Sequence, residues 1–88
     1  MRDIRYLTSL HQGQSAVVRE LTASGSMRRR LQDIGLIEGT KVECIQKSPL
    51  GDPTAFLIRG AVIALRSEDA SGIILYPNDS VVWEDEIK

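Results

Sequence analysis

Short apolar segments bounded by turn residues recur along the chain, as expected of β-strands. In the segment at 40–47, Val42 and Cys44 alternate with Lys41 and Glu43, as in a half-buried strand. Four further segments, at 15–21, 54–59, 62–66 and 73–76, are also predicted to be strands and have Gly, Pro or Ser close to their ends. The pattern therefore predicts a mostly β protein with five strands.

One segment, residues 26–34, has the periodicity of a helix instead. Met27, Leu31 and Ile34 are spaced at i, i+4 and i+7, which places them on one helix face. Gly35 follows, where a left-handed residue commonly ends a helix. So short a helix is not stable alone in water, so we expect its apolar face to pack on the sheet.

Serines and glycines predict where helical segments begin and end. Ser24 or Ser26 could cap the helix at 26–34 by accepting a backbone N–H. Residues 67–72 predict a single helical turn, with Ser67 as its N-cap, acidic residues in its first turn and Gly72 at its end.

Five strands, one short α-helix and one helical turn within residues 1–76 predict a small, strongly bent β-barrel. We expect closure to remove exposed strand edges, and the pattern leaves SH3-like and OB-like barrels open. Residues 77–88 are predicted to be an acidic C-terminal extension. Its apolar residues 81–83 could pack on their own barrel or on a neighbouring copy, so a homodimer stays open.

Charge is unevenly distributed along a chain whose net charge is −1. Residues 1–47 hold eight Lys and Arg against five Asp and Glu, whereas residues 48–88 hold three against seven. This balance is far from that of a typical nucleic-acid-binding domain, and the basic residues are not interleaved with aromatic ones. A nucleic-acid partner is therefore not expected, although a nucleic-acid-associated barrel is kept as an alternative.

Candidate reactive residues are scarce. Cys44 and His11 are the only cysteine and histidine, so no intrachain disulfide and no zinc pattern is expected. No nucleophile with a base, phosphate-binding loop or paired acids is evident, so we expect no enzyme, no metal site and no cofactor. No apolar run is long enough for a membrane span or a signal peptide, and the default location is the cytoplasm.

Three consecutive arginines, Arg28, Arg29 and Arg30, are the first candidate site for binding a partner. Cations in the first turns of a helix oppose its macrodipole. The helical wheel points Arg29 away from the core and places Arg28 and Arg30 beside the apolar face. Asp33 could pair with Arg29 or Arg30. The cluster is either a solvated face or a basic surface for a partner rich in carboxylates or phosphates.

The loop at 49–53 is the second candidate. Its prolines fix φ, whereas Gly51 supplies conformational freedom. It is either a stiff connection, with Asp52 bonding to its own backbone, or a rigid recognition loop that presents Leu50 and Asp52. The predicted partner-binding residues in this loop are Leu50, Gly51, Asp52 and Pro53.

Several segments, in this order and spacing, resemble the ferrous iron transport protein A family, FeoA. They are LTSL at 7–10, GQ at 13–14, RRLQDIGL at 29–36, EGT at 38–40, PLGDP at 49–53, RG at 59–60 and IALR at 63–66. The resemblance covers about residues 7–76 and implies an SH3-like barrel. It places Arg29, Arg30, Gly51, Asp52 and Pro53 on characteristic positions of the family.

The resemblance also implies a function. A FeoA-like protein is expected to be a small cytoplasmic regulatory protein of ferrous iron uptake. Its expected partner is FeoB, a membrane transporter with a cytoplasmic G-domain. A similar domain occurs in iron-dependent repressors, which keeps a metal-responsive module that binds a transition metal ion as an alternative. Association with Fe²⁺ stays open, but no ligand set is visible in the sequence.

Overall fold

Six antiparallel strands, two α-helices and one 3₁₀ turn make up residues 5–77, the part of the chain that the computed structural model describes. The strands are β1 (Arg5–Tyr6), β2 (Ser15–Leu21), β3 (Lys41–Lys47), β4 (Thr54–Ile58), β5 (Ala61–Leu65) and β6 (Ile73–Leu75). The helices are α1 (Gly25–Asp33) and α2 (Ser67–Ala70), and the 3₁₀ turn is Leu7–Ser9.

The strands form one sheet in the order β1-β6-β2-β3-β4-β5. The five predicted strands are confirmed, and β1 is an additional strand that pairs Arg5 with Leu75 and Tyr6 with Ile74. The predicted closure is wrong for residues 5–77, because β1 and β5 remain at opposite ends of the hydrogen-bonded order. Two residues of β1 are too few to show an alternating pattern, which is why this strand was not predicted.

Alternate residues of β3 and β4 face the core, as the sequence pattern predicted for β3. Val42 and Cys44 of β3 face inward beside Ile58 and Phe56 of β4, their partners in the sheet. Register shifts between Val18 and Glu20 and between Cys44 and Gln46 interrupt the ladders. Such irregularities bend a strand and increase its twist, so they let this small sheet curve around its core.

Helix α1 covers one side of this core through Leu31, which is fully buried. Ser24 occupies the N-cap position, but its side chain makes no capping hydrogen bond. The predicted end at Gly35 is confirmed, since this residue has φ +103°. The backbone N–H of Leu36 donates to the Leu31 carbonyl at 3.0 Å, and that of Gly35 donates to the Gln32 carbonyl at 3.0 Å. These two bonds are those of a Schellman motif.

Candidate partner-binding site

The two segments predicted to bind a partner meet at the short helix α2. A guanidinium nitrogen of Arg30, Nη2, lies 3.4 Å from Oδ2 of Asp69 in α2. Oδ1 of Asp52, in the loop at 49–53, accepts a hydrogen bond of 2.8 Å from the backbone N–H of Ser67, the first residue of α2. Helix α1, the loop and α2 are thereby joined into one surface, which we call the α2 surface.

The three arginines differ in what they contact. Arg28 donates from Nη1 to the Leu21 carbonyl at 3.2 Å, which ties the first turn of α1 to the end of β2. Arg30 forms the ion pair with Asp69. Arg29 is exposed and makes no hydrogen bond or ion pair within residues 5–77. Arg29 is therefore the arginine of this cluster that is available to a partner.

The proposed pairing of Asp33 with a neighbouring arginine is wrong for Arg30, which turns to Asp69 instead. The Asp69 side chain is 4% exposed, whereas that of Arg30 is 61% exposed. A buried carboxylate is costly unless a cation or hydrogen-bond donor compensates it, so Asp69 draws Arg30 towards α2. Nothing in the sequence pattern marks Asp69 as buried, because an acid in the first turn of a short helix is ordinarily solvated.

Asp52 caps α2 instead of bonding to its own backbone. The residue at the N-cap position is Arg66, so the prediction of Ser67 in that role was wrong by one residue. None of the first backbone N–H groups of a helix has a partner within the helix. The Asp52 carboxylate, 15 residues away in sequence, is the acceptor for one of these groups, the Ser67 N–H.

The rest of the loop is ordered by its backbone and presents one apolar side chain. The Gly51 N–H donates to the Ser48 carbonyl at 2.8 Å, and the Ser48 N–H donates to the Pro53 carbonyl at 3.2 Å. Gly51 has φ +85°, a conformation that favours glycine. Leu50, at the tip, is 94% exposed. The loop therefore holds an exposed leucine on a constrained backbone.

The remaining candidates do not form a reactive site within residues 5–77. His11 is exposed, and its backbone N–H donates to Oε1 of Gln14. Cys44 is fully buried, and burial raises the pKa of its thiol. No group of three or more His, Cys, Asp or Glu residues in this range could hold a metal ion. A cavity beside the loop at 49–53 has a volume of about 60 Å³. It is smaller than typical small-molecule sites, whose volumes are roughly 300–1,000 Å³.

Comparisons with known proteins support the family resemblance. A curated relative from Porphyromonas gingivalis, a fusion of Fe²⁺ transport protein A with the Fe²⁺ transporter FeoB, is 34% identical over 67 residues. That match covers 76% of this chain but 8% of the fusion protein. No helix within residues 5–77 is long and apolar enough to cross a membrane.

Two solved structures show the same fold. The iron(II) transport protein A of Clostridium thermocellum has a TM-score of 0.80 and 31% identity, covering 85% of this chain and 46% of that one. The zinc-complexed FeoA of Stenotrophomonas maltophilia has a TM-score of 0.73 and 28% identity, covering 82% and 89%. The latter is described as an SH3 domain protein and a candidate activating factor of ferrous iron transport, and the likeness confirms the SH3-like fold predicted here.

The sequence profile of the FeoA domain matches residues 5–77, which is most of the chain. Profile, fusion relative and solved structures agree with one another. This chain therefore belongs to the FeoA domain family, which takes part in ferrous iron transport.

Proposed function

We propose that this protein is a cytoplasmic accessory protein of ferrous iron uptake that binds the cytoplasmic part of a FeoB-type transporter. The observation that supports this partner is the Porphyromonas gingivalis relative, in which a FeoA part and a FeoB transporter belong to one polypeptide. Fusion keeps two modules at a high effective concentration, which favours contacts that separate chains must make by diffusion. In this proposal the protein is not an enzyme. The acidic extension predicted at 77–88 lies, from residue 78 onward, outside the described residues.

We place the contact on the α2 surface. Leu50 is almost fully exposed, and burying such a side chain in a partner removes apolar area from water without first breaking a core contact. Arg29 offers a cation that no residue within 5–77 uses. Because the loop backbone is already ordered, binding costs little additional loop entropy. Protein contacts commonly combine apolar anchors with polar residues at their rim.

Binding of the full-length chain to the purified cytoplasmic G-domain of its FeoB-type transporter tests this proposal. Single substitutions Leu50→Ala and Arg29→Ala should each weaken binding, by roughly 1–2 kcal/mol for a contact residue. The Arg29→Ala effect should be larger at low salt, where exposed charges are least screened. Arg19→Ala is the matched control, because Arg19 is an exposed arginine on β2, outside the α2 surface.

Unchanged affinity in both variants would contradict the α2 surface, and absence of binding by the wild type would contradict the partner. Two alternatives give different results in parallel assays. Retention on DNA or RNA with a steep salt dependence would favour a nucleic-acid-associated barrel. Binding of Fe²⁺ or Mn²⁺ with micromolar or tighter affinity would favour the metal-responsive module.

A further inference from the structure

A second surface lies on the outward side of β3 and β4, and none of its lining residues belongs to α1, α2 or the loop at 49–53. It is a groove of about 230 Å³ that we call the β3–β4 groove. Its lining consists of Lys41, Val42, Glu43, Leu57, Arg59 and Gly60. Leu57 lies opposite Glu43 in the sheet and is half-buried. The groove therefore combines an apolar floor with two cations and one carboxylate.

The register of the sheet brings the end of the described chain towards this groove. The backbone N–H of Tyr76 donates to the Val17 carbonyl at 2.9 Å, and Val17 lies opposite Lys41. Val42 of β3 pairs with Ile58 of β4, so the adjacent residues in the chain, Lys41 and Arg59, lie opposite each other at the end of this strand pair. Three strand spacings of about 4.8 Å each separate β6 from β4, roughly 14 Å in all.

A side-chain hydrogen bond joins Tyr76, near the end of the described residues, to Glu38, shortly before β3. The Tyr76 hydroxyl donates to Oε2 of Glu38 at 2.9 Å. Glu38 precedes the first residue of β3, Lys41, by three positions. The described residues therefore end beside the start of β3, near the cationic end of the groove.

The sequence that follows has the composition this groove would accept. Residues 81–86 read VVWEDE, three apolar residues and then three acids. Extended chain spans about 3.3 Å per residue, so residues 78–83 can cover roughly 20 Å. That reach exceeds the distance across the sheet from β6 to β4. The acids complement Lys41 and Arg59, and Glu43 is the single acid in the lining.

We propose that residues 81–86 bind the β3–β4 groove of their own chain, with Trp83 on Leu57 and the following acids near Lys41 and Arg59. An indole ring buries a large apolar area, and a guanidinium beside it adds a cation–π contact. Because the segment is joined to its site by only a few residues, its effective concentration there is high. The extension then acts as an intramolecular ligand that an external acidic peptide would have to displace.

Trp83 is the only tryptophan of the chain, so its fluorescence in the full-length protein reports directly on this contact. If the proposal holds, emission lies at a shorter wavelength than in denaturant, and acrylamide quenches it severalfold less. Neither property should change on dilution. Removing the groove's cations with Lys41→Gln/Arg59→Asn should raise the quenching constant severalfold. Asparagine is chosen because residue 59 has φ +51°, which asparagine tolerates.

Leu57→Ser is the second groove variant and removes the apolar floor. The control, Lys47→Gln/Arg66→Gln, removes the same charge from a lysine and an arginine that do not line the groove, and should leave the emission unchanged. Wild-type Trp83 that is as accessible as in denaturant would overturn the proposal. So would protection that persists in both groove variants. Protection that disappears on dilution would identify a second copy as the occupant, and would overturn binding within one chain.

Discussion

Removing Arg30 should destabilise this protein more than removing Arg29, although both are neighbouring arginines of α1. Arg30→Ala leaves the Asp69 carboxylate, 4% exposed, without its cation. Arg29→Ala removes an exposed side chain that has no hydrogen bond or ion pair within residues 5–77. The two substitutions change net charge and helix propensity in the same way, but only Arg30 lies in the last turn of α1 and pairs with Asp69. The double-mutant cycle with Asp69→Asn therefore separates the ion pair from the interaction of Arg30 with the helix dipole.

The structure bounds the size of this difference. Breaking a fully buried ion pair costs about 3–5 kcal/mol, whereas exposed pairs contribute about 0.2–1 kcal/mol. This pair is intermediate, because the Arg30 side chain is 61% exposed and water can reach the space it would leave. Its 3.4 Å separation is also longer than the roughly 2.8 Å of a strong charge-assisted hydrogen bond. We therefore expect a loss of about 1–2 kcal/mol for Arg30→Ala, and within about 0.5 kcal/mol of zero for Arg29→Ala.

Urea unfolding followed by far-UV circular dichroism measures both free energies, and the double-mutant cycle of Arg30→Ala with Asp69→Asn measures the coupling. Asparagine removes the buried charge, so Asp69→Asn should recover part of the stability lost in Arg30→Ala. Equal destabilisation by Arg29→Ala and Arg30→Ala, or a coupling energy of zero, would refute the reasoning. In either case Asp69 would be solvated or satisfied without Arg30.

Three further predictions concern single residues. Gly35→Ala should cost more than about 1 kcal/mol in urea unfolding, because φ is +103° and carbons of the Arg59 side chain occupy the space a Cβ would need; an unchanged midpoint would contradict this. Cys44 should react with thiol reagents only as fast as the protein opens, since burial excludes the reagent and raises the pKa of the thiol; rapid labelling of the native protein would contradict it. The pKa of Tyr76 is raised, mainly by its hydrogen bond to Glu38 and secondly by desolvation. Protonated Tyr76 should therefore stabilise the folded protein below the ordinary tyrosine pKa of 10.0, and this stabilisation should disappear as pH rises through the raised pKa. Glu38→Gln should lower the pKa of Tyr76, measured from the ultraviolet absorbance of tyrosinate. An unchanged pKa would exclude the hydrogen bond to Glu38 as the main cause.

Local patterns predicted the elements of the fold well, for physical reasons that act over a few residues. Strand alternation places side chains on two faces, and the β3 pattern of Val42 and Cys44 survives in the core. The positive φ of Gly35 follows from the geometry of a helix end. What could not be predicted joins residues distant in sequence: Arg30 with Asp69, and Asp52 with the backbone of Ser67. No periodicity encodes such pairs, because the fold alone decides which side chains meet.

These long-range contacts change how the family's characteristic residues are interpreted. A helix of four residues is unstable alone, so α2 depends on outside partners, and Asp52 and Arg30 are two of them. Within this molecule, Asp52 and Arg30 hold α2 in place. This structural role accounts for the Gly-Asp-Pro loop and for an arginine at position 30 without requiring contact with a partner. In the function proposed above, partner contact is instead expected of side chains that the fold leaves unused, Leu50 and Arg29. Substituting Asp52 or Arg30 would weaken binding by deforming the α2 surface, and an unfolding measurement on the same variants would distinguish that indirect loss from a lost contact.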